Sequence, residues 1–261
     1  MKKLVLLLFA GVLTIGVLGA CSKRPDSSTA NDGTKKVLVM GTSADYKPYE
    51  YVDTAKGTQP IGFDVDVANY IGKELGYTIQ VKDSDFSGLL ASMQAGKVDF
   101  VMAGMTPTDD RKKNADFTDI YYTAKNVVIS KNGTIQKMDD LKGKTVGVQT
   151  GSIQETKAKD LQKQTDFKIE GRDRVPDLFQ ELKDGRVDAI IIESTVAKGY
   201  LAQLPDLKGV DIPEAADESG SAIALPKGSK YTAEFNKVIE KMKQNGEMDK
   251  LIKKWFDGTV Q

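Results

Sequence analysis

Residues 86–106, FSGLLASMQAGKVDFVMAGMT, carry the reading of the fold. Leu89, Leu90 and Met93 recur at helical spacing, Gly96 stops the helix, and Asp99-Phe100-Val101-Met102 reads as a short buried strand running into glycine. Upstream, residues 78–81 (TIQV) read as a strand. Phe63, Val67, Tyr70, Ile71 and Leu75 form one apolar helix face that Gly76 closes, and residues 37–40 (VLVM) read as the first strand. That order is β-α-β-α-β. Downstream the pattern returns from Lys144: strand 145–148, helix from about 152 to 162, strand 167–170, helix 176–183 opened by Pro176, strand 188–192 and a further helix. Leu178-Phe179 with Gly185-Arg186-Val187-Asp188 repeats Leu89-Leu90 with Gly96-Lys97-Val98-Asp99 at one constant offset. The sequence therefore predicts two parallel α/β units. A third segment follows them, residues 222–225 and a helical C-terminus through Phe235, Val238, Ile239, Met242, Met248, Leu251, Ile252 and Trp255.

The length of 261 residues, about twice a common domain of ~100–150 residues, suits this doubling. A content of 40% hydrophobic and 28% charged residues describes an ordinary globular chain, and 37 basic against 37 acidic residues offer nucleic acid no electrostatic footprint. With no histidine and a single cysteine, histidine-based triads, the usual zinc ligand sets and an intramolecular disulfide are excluded.

Met1-Lys2-Lys3 followed by the uncharged residues 4–20, LVLLLFAGVLTIGVLGA, reads as an export signal. Its alternative, a retained membrane span, sits at the lower limit of the ~17–25 residues required. Leu18-Gly19-Ala20-Cys21 resembles the bacterial lipobox, which implies cleavage before Cys21 and lipidation of that residue. Residues 21–34 are then a flexible tether, Ser-, Asp- and Gly-rich without apolar periodicity. The chain is expected to be extracytoplasmic and anchored to the bacterial cell membrane by its N-terminal lipid.

Five motifs in order resemble the extracytoplasmic solute-binding proteins of bacterial ABC transporters for polar amino acids. They are Gly41-Thr42-Ser43-Ala44-Asp45-Tyr46-Lys47-Pro48-Tyr49-Glu50; Ile61-Gly62-Phe63-Asp64-Val65-Asp66; Ala103-Gly104-Met105-Thr106-Pro107-Thr108 with Arg111 and Asp116-Phe117-Thr118; Val146-Gly147-Val148-Gln149-Thr150-Gly151-Ser152; and Asn245-Gly246-Glu247-Met248 with Trp255-Phe256. The resemblance implies an α/β, two-lobed, periplasmic-binding-protein-like (type II) fold. Lobe 1 is discontinuous, residues 35–124 plus 221–261, and lobe 2 is 125–220. Two crossover segments, near 123–126 and 219–222, act as the hinge, and ligand binds between the lobes.

Ligands of parallel sheets sit at the carboxyl ends of strands, where Tyr46, Gly104 to Thr106, Gly151 to Ile153 and Glu193 fall. Arg111 is expected to take the ligand's α-carboxylate with its planar fork; by its residues alone it could instead pair with Asp109, Asp110 or Asp116. Thr106 and the amides of Met105, Thr106 and Ser152 would complete that anion site, and Gly104 and Gly151 permit close backbone approach. Glu193 is expected to receive the α-ammonium, where relatives often carry Asp, or else to be a solvated carboxylate at a helix start. Tyr46 and Phe86 would wall the ligand side chain, unless they pack into the core. Gln149 and Ile153 join the site, with Ser43 and Asp85 as further side-chain selectors. Asp45, Asp85 and Glu193 outnumber Arg111, which favours a basic side chain, arginine or lysine; glutamine or another polar amino acid is the alternative.

An enzyme remains in view, because a prephenate-type dehydratase uses the same fold and needs an acid/base pair in the cleft, for which Glu193 or Asp45 would have to serve. Gly143-Lys144-Thr145 fails as a phosphate loop because Met138 stands where glycine is needed. Asp83-Ser84-Asp85 fails as a calcium loop because its twelfth position is Gln94. No catalytic residue, metal or cofactor is expected. The partners expected are a free amino acid and the permease subunits of an ABC transporter, with the protein itself a monomer.

Overall fold

The computed structural model describes residues 36–212 and 220–257. The signal segment, Cys21, the tether and Ser219 lie outside the described residues.

Two five-stranded sheets organise the chain, one in each lobe. The first has the order Tyr77–Asp83, Lys36–Thr42, Phe100–Val101, Ala224–Leu225, Asp116–Phe117. The second has the order Lys168–Arg172, Thr145–Gln149, Ala189–Glu193, Asn126–Lys131, Leu207–Asp211. In each, the three strands foreseen from the sequence run parallel. Both sheets are also mixed, because each takes in strands beyond the three foreseen. Asn126–Lys131 pairs antiparallel with strands on both sides, and Ala224–Leu225 does the same in the first sheet. These are the strands by which the chain enters one lobe and re-enters the other, so they arrive from the opposite direction.

The repeat is a packing unit. Val39 N donates to Asp99 Oδ2 at 2.6 Å in the first lobe, and Thr145 N donates to Asp188 Oδ2 at 2.8 Å in the second. Each element also lays its Leu and Val on a glycine of the neighbouring strand. A Cβ on Gly41 would stand 3.0 Å from Val98 and 3.5 Å from Leu89, and one on Gly147 3.0 Å from Leu178 and 3.6 Å from Val187. Those side chains are buried, each worth roughly 1.5–3 kcal/mol, so the glycines set how closely helix and strand approach.

The amphipathic helix Phe63–Leu75 ends at Gly76 in the left-handed conformation. At the C-terminus Gly246, also left-handed, breaks the expected helix into Tyr231–Gln244 and Glu247–Phe256. Trp255 Nε1 and Lys254 Nζ both reach Asp66 Oδ2, at 2.8 and 2.7 Å, which ties the chain end to the first helix. The first lobe is thus built from both ends of the described chain. The two crossings pair as a short antiparallel ribbon, Tyr122–Thr123 with Gly220–Ser221. No helix among the described residues is long and apolar enough to cross a membrane.

Candidate functional site

The strand ends of the two lobes face one small cavity, at the place in an α/β fold where ligands bind. Of the twelve ligand-binding residues expected from the sequence, Tyr46, Phe86, Gly104, Thr106, Arg111, Gln149, Ser152, Ile153 and Glu193 line it. Ala103, Ala124, Asn126, Gln154, Gly220 and Ser221 line it as well and were not foreseen. Glu193 is the one carboxylate and Arg111 the one cation among the described lining residues.

Arg111 reaches the cavity because Thr108 caps the helix Asp109–Asn114, its hydroxyl accepting from Arg111 N at 3.3 Å. The guanidinium donates from Nη1 to Thr106 O at 2.8 Å and from Nη2 to Gly151 O at 2.9 Å, so it is held by carbonyls of both lobes. Its carbon lies 5.3 Å from the centre of the Phe86 ring. The neighbouring acids go elsewhere: Asp109 to Lys112, Asp110 to Lys113 and Asp116 to Lys227. No carboxylate among the described residues pairs with Arg111, and burial pushes it down to about 10. A half-buried cation of this kind, with no carboxylate beside it, calls for an anion.

Gly151 has φ +76°, and a Cβ there would stand 3.2 Å from Ser87 across the cleft, so glycine is required for this approach. Gly104, at φ +55°, faces the Tyr46 ring, which a Cβ would meet at 3.3 Å. Ser152 caps the helix Ile153–Gln162, its Oγ accepting from Glu155 N at 3.2 Å. The Ser152 amide donates to Gln149 O at 3.2 Å rather than into the cavity. Gln154, buried on the first turn of that helix, donates to Asn126 Oδ1 at 2.7 Å and brings two carboxamides together at the cavity wall.

Glu193 ends the strand Ala189–Glu193 and is buried. Tyr49 OH donates to its Oε1 at 2.5 Å, and the Thr195 hydroxyl donates to the same oxygen. Burial, reinforced by that carboxylate, pushes the Tyr49 phenol well above its ordinary value, so it keeps its proton.

The remaining expected residues sit beside the cavity. Met105 is buried, its carbonyl accepting from Ala222 N at 2.9 Å. Ser43 donates to Asp45 Oδ1 at 2.9 Å. Asp45 accepts from Val175 N of the other lobe at 2.7 Å, and burial raises its pKa against that bond. Asp85 lies 2.9 Å from Arg174 Nε, whose Nη1 is 2.9 Å from Asp83. Asp45 and Asp85 are thus engaged by the second lobe, so counting them as acidic cavity walls does not hold. Behind Gly104 lies a buried acid pair. Asp64 accepts from Gly104 N and Tyr121 OH, each at 2.9 Å, and Glu50 beside it finds a partner only by carrying a proton itself.

The profile of the bacterial extracellular solute-binding proteins, family 3, matches residues 38–258. An arginine-binding extracellular protein of Bacillus subtilis is 50% identical over 260 residues, 99% of each chain. Among solved structures, the substrate binding protein of an amino acid ABC transporter is 46% identical at a TM-score of 0.78, over 85% of this chain and 99% of that one. An ancestral arginine-binding protein is 39% identical in both of its structures. Bound to arginine it gives a TM-score of 0.79 over 84% of this chain and 98% of its own; bound to glutamine, 0.77 over 84% and 97%. The likeness spans both sheets and the cavity between them, and this chain belongs to the bacterial extracellular solute-binding proteins, family 3.

Proposed function

We propose that the protein is the ligand-capturing component of an amino-acid ABC importer and that it takes L-arginine in the cavity between its lobes. One observation carries this reading: a half-buried Arg111 without a carboxylate partner among the described residues opens on the same cavity as the Glu193 carboxylate. An α-amino acid supplies the missing anion to Arg111 and an ammonium to Glu193, and each charge finds a partner as water leaves. Tyr46 and Phe86 offer ring faces to a guanidinium, and the amide oxygens of Gln149 and Gln154 offer neutral acceptors. Two of the relatives named above, the Bacillus subtilis protein and the ancestral protein, are arginine-binding by their descriptions, which favours that side chain.

Glutamine is the second reading, favoured by the carboxamides of Asn126, Gln149 and Gln154 and by the glutamine-bound ancestral structure. A thermal-shift series with all twenty amino acids decides between them, since a ligand at 100 times its Kd stabilises by roughly 2.7 kcal/mol. Arginine is expected to give the largest rise; a larger one with glutamine moves the specificity, and none with any amino acid refutes the proposal. A dehydratase would need two acid/base groups, and the described cavity offers Glu193 already bonded to two hydroxyls, so transport rather than catalysis is the reading.

Lobe 1 is proposed as residues 35–124 plus 221–261 and lobe 2 as 125–220, a division that the strand membership of the sheets supports. The paired crossings at Tyr122–Thr123 and Gly220–Ser221 are the hinge, and contacts made from both lobes favour the closed form that docks on the permease. Residues 1–20 direct export and Cys21 carries the lipid; two or three acyl chains, at roughly 0.8 kcal/mol per buried CH₂, hold a monomer at the membrane.

A further inference from the structure

Tyr49 is fully buried and does not line the cavity, yet it touches the group that does. Its ring is clamped on four sides, stacked on Tyr46 at 5.6 Å and edge-on to Phe63, Tyr122 and Phe256 at 6.2, 5.7 and 5.0 Å. A ring so held has no freedom to move its hydroxyl, and that hydroxyl donates to Glu193 Oε1 at 2.5 Å. Thr195 donates to the same oxygen from the opposite lobe, as the second residue of the helix that follows Glu193. Glutamate has one more rotatable bond than aspartate, so a carboxylate here is free to swing unless something fixes it. Two hydroxyls on one oxygen hold that oxygen in place and so limit the swing of the carboxylate.

We infer that Tyr49 is a positioning residue for ligand recognition, aiming the Glu193 carboxylate at the ligand's α-ammonium. The inference rests on the proposal that Glu193 receives that ammonium. Tyr49 stands in the first lobe and Glu193 in the second, so the bond exists only with the lobes together. Recognition of the α-amino group is thereby tied to closure, while Tyr46, stacked on Tyr49, carries the wall of the cavity.

The test compares L-arginine with 5-guanidinopentanoate, which is arginine without its α-amino group, by calorimetry on wild type, Tyr49→Phe and Glu193→Gln. Phenylalanine keeps the clamped ring and removes one hydroxyl. Tyr49→Phe is expected to weaken L-arginine about tenfold more than it weakens 5-guanidinopentanoate, the scale of a charge-assisted hydrogen bond, the closure bond itself being lost to both compounds alike. An unchanged L-arginine affinity, or equal weakening of both compounds, overturns the positioning role. If Glu193→Gln still prefers L-arginine as wild type does, the assignment of the ammonium to Glu193 is what fails. If that variant loses the preference while Tyr49→Phe is silent, the failure is confined to Tyr49.

Discussion

Replacing Arg174 with alanine removes a charge cluster that bridges the lobes and leaves the cavity lining untouched. Nε and Nη1 of Arg174 lie 2.9 Å from Asp85 and Asp83, with Asp45 at 4.0 Å. The side chains of Arg174, Asp83 and Asp85 are 29%, 41% and 53% exposed, so each pair is worth the ~0.2–1 kcal/mol of ion pairs open to water. Together they contribute about 0.5–2 kcal/mol, all of it to the closed arrangement. If the open form predominates without ligand, the loss multiplies Kd for L-arginine by roughly 2–30. Calorimetric titration of wild type, Arg174→Ala and Arg174→Lys at low and high ionic strength reads this directly. Wild type should weaken as salt rises, because screening acts over ~10 Å at 0.1 M, while Arg174→Ala should start weaker and change less. Equal affinities and equal salt slopes in the two proteins would refute a closing role for this cluster.

Arg111→Ala should remove the carboxylate partner while the cap and the fold persist. The cost of about 3–5 kcal/mol for stripping one side of a buried pair predicts a loss of at least ~100-fold in arginine affinity by calorimetry, with circular dichroism unchanged. Burial, then the Asp64 charge, raises Glu50 well above the ordinary carboxyl range, and burial lifts Asp64 to about 6. Both carboxyls therefore bind protons in the native state that the unfolded chain has released, and Tm should fall as pH rises from about 4 through 6 and beyond. Glu50→Gln, a carboxamide whose N–H donates to Asp64 without taking up a proton from solvent, should flatten that slope and raise Tm at pH 8 by a few degrees; an unchanged pH profile would contradict a proton held on Glu50. Cys21→Ser should move the protein from the membrane fraction to the soluble one, and continued membrane association would mean that residues 1–20 are retained as a span.

Much of the site was legible because strand ends are legible. Gly76 and Gly96 announce helix ends, the repeat of Leu89–Asp99 in Leu178–Asp188 announces a shared packing unit, and the cavity lies where those strands stop. What the pattern hides is direction and distance. Residues 126–131, NVVISK, are nearly all buried and read as a strand of either sense; the antiparallel pairing comes from the crossing that precedes them. Asn126, Gly220 and Ser221 belong to the crossings and follow no strand-end motif, and Gln154 gives only one signal, a polar residue beside the capping Ser152. Asp45 and Asp85 look like acidic walls until Arg174, remote in sequence, is found between them.

That last correction changes how affinity and specificity divide. With Asp45 and Asp85 engaged across the lobes, the described lining carries one cation and one carboxylate, so a zwitterion balances it and a cationic side chain must rely on ring faces and amide oxygens. Discrimination among side chains therefore falls to neutral groups, Gln149, Gln154 and the rings of Tyr46 and Phe86, which admit glutamine as well as arginine at modest energetic difference. The bonds from Arg174 to Asp83 and Asp85 and from Val175 to Asp45 are indifferent to the side chain bound. They raise or lower affinity for every ligand alike through closure, whereas changes at Gln149 or Gln154 reorder the ligands. A variant series that moved both properties in parallel at Arg174 would contradict this separation.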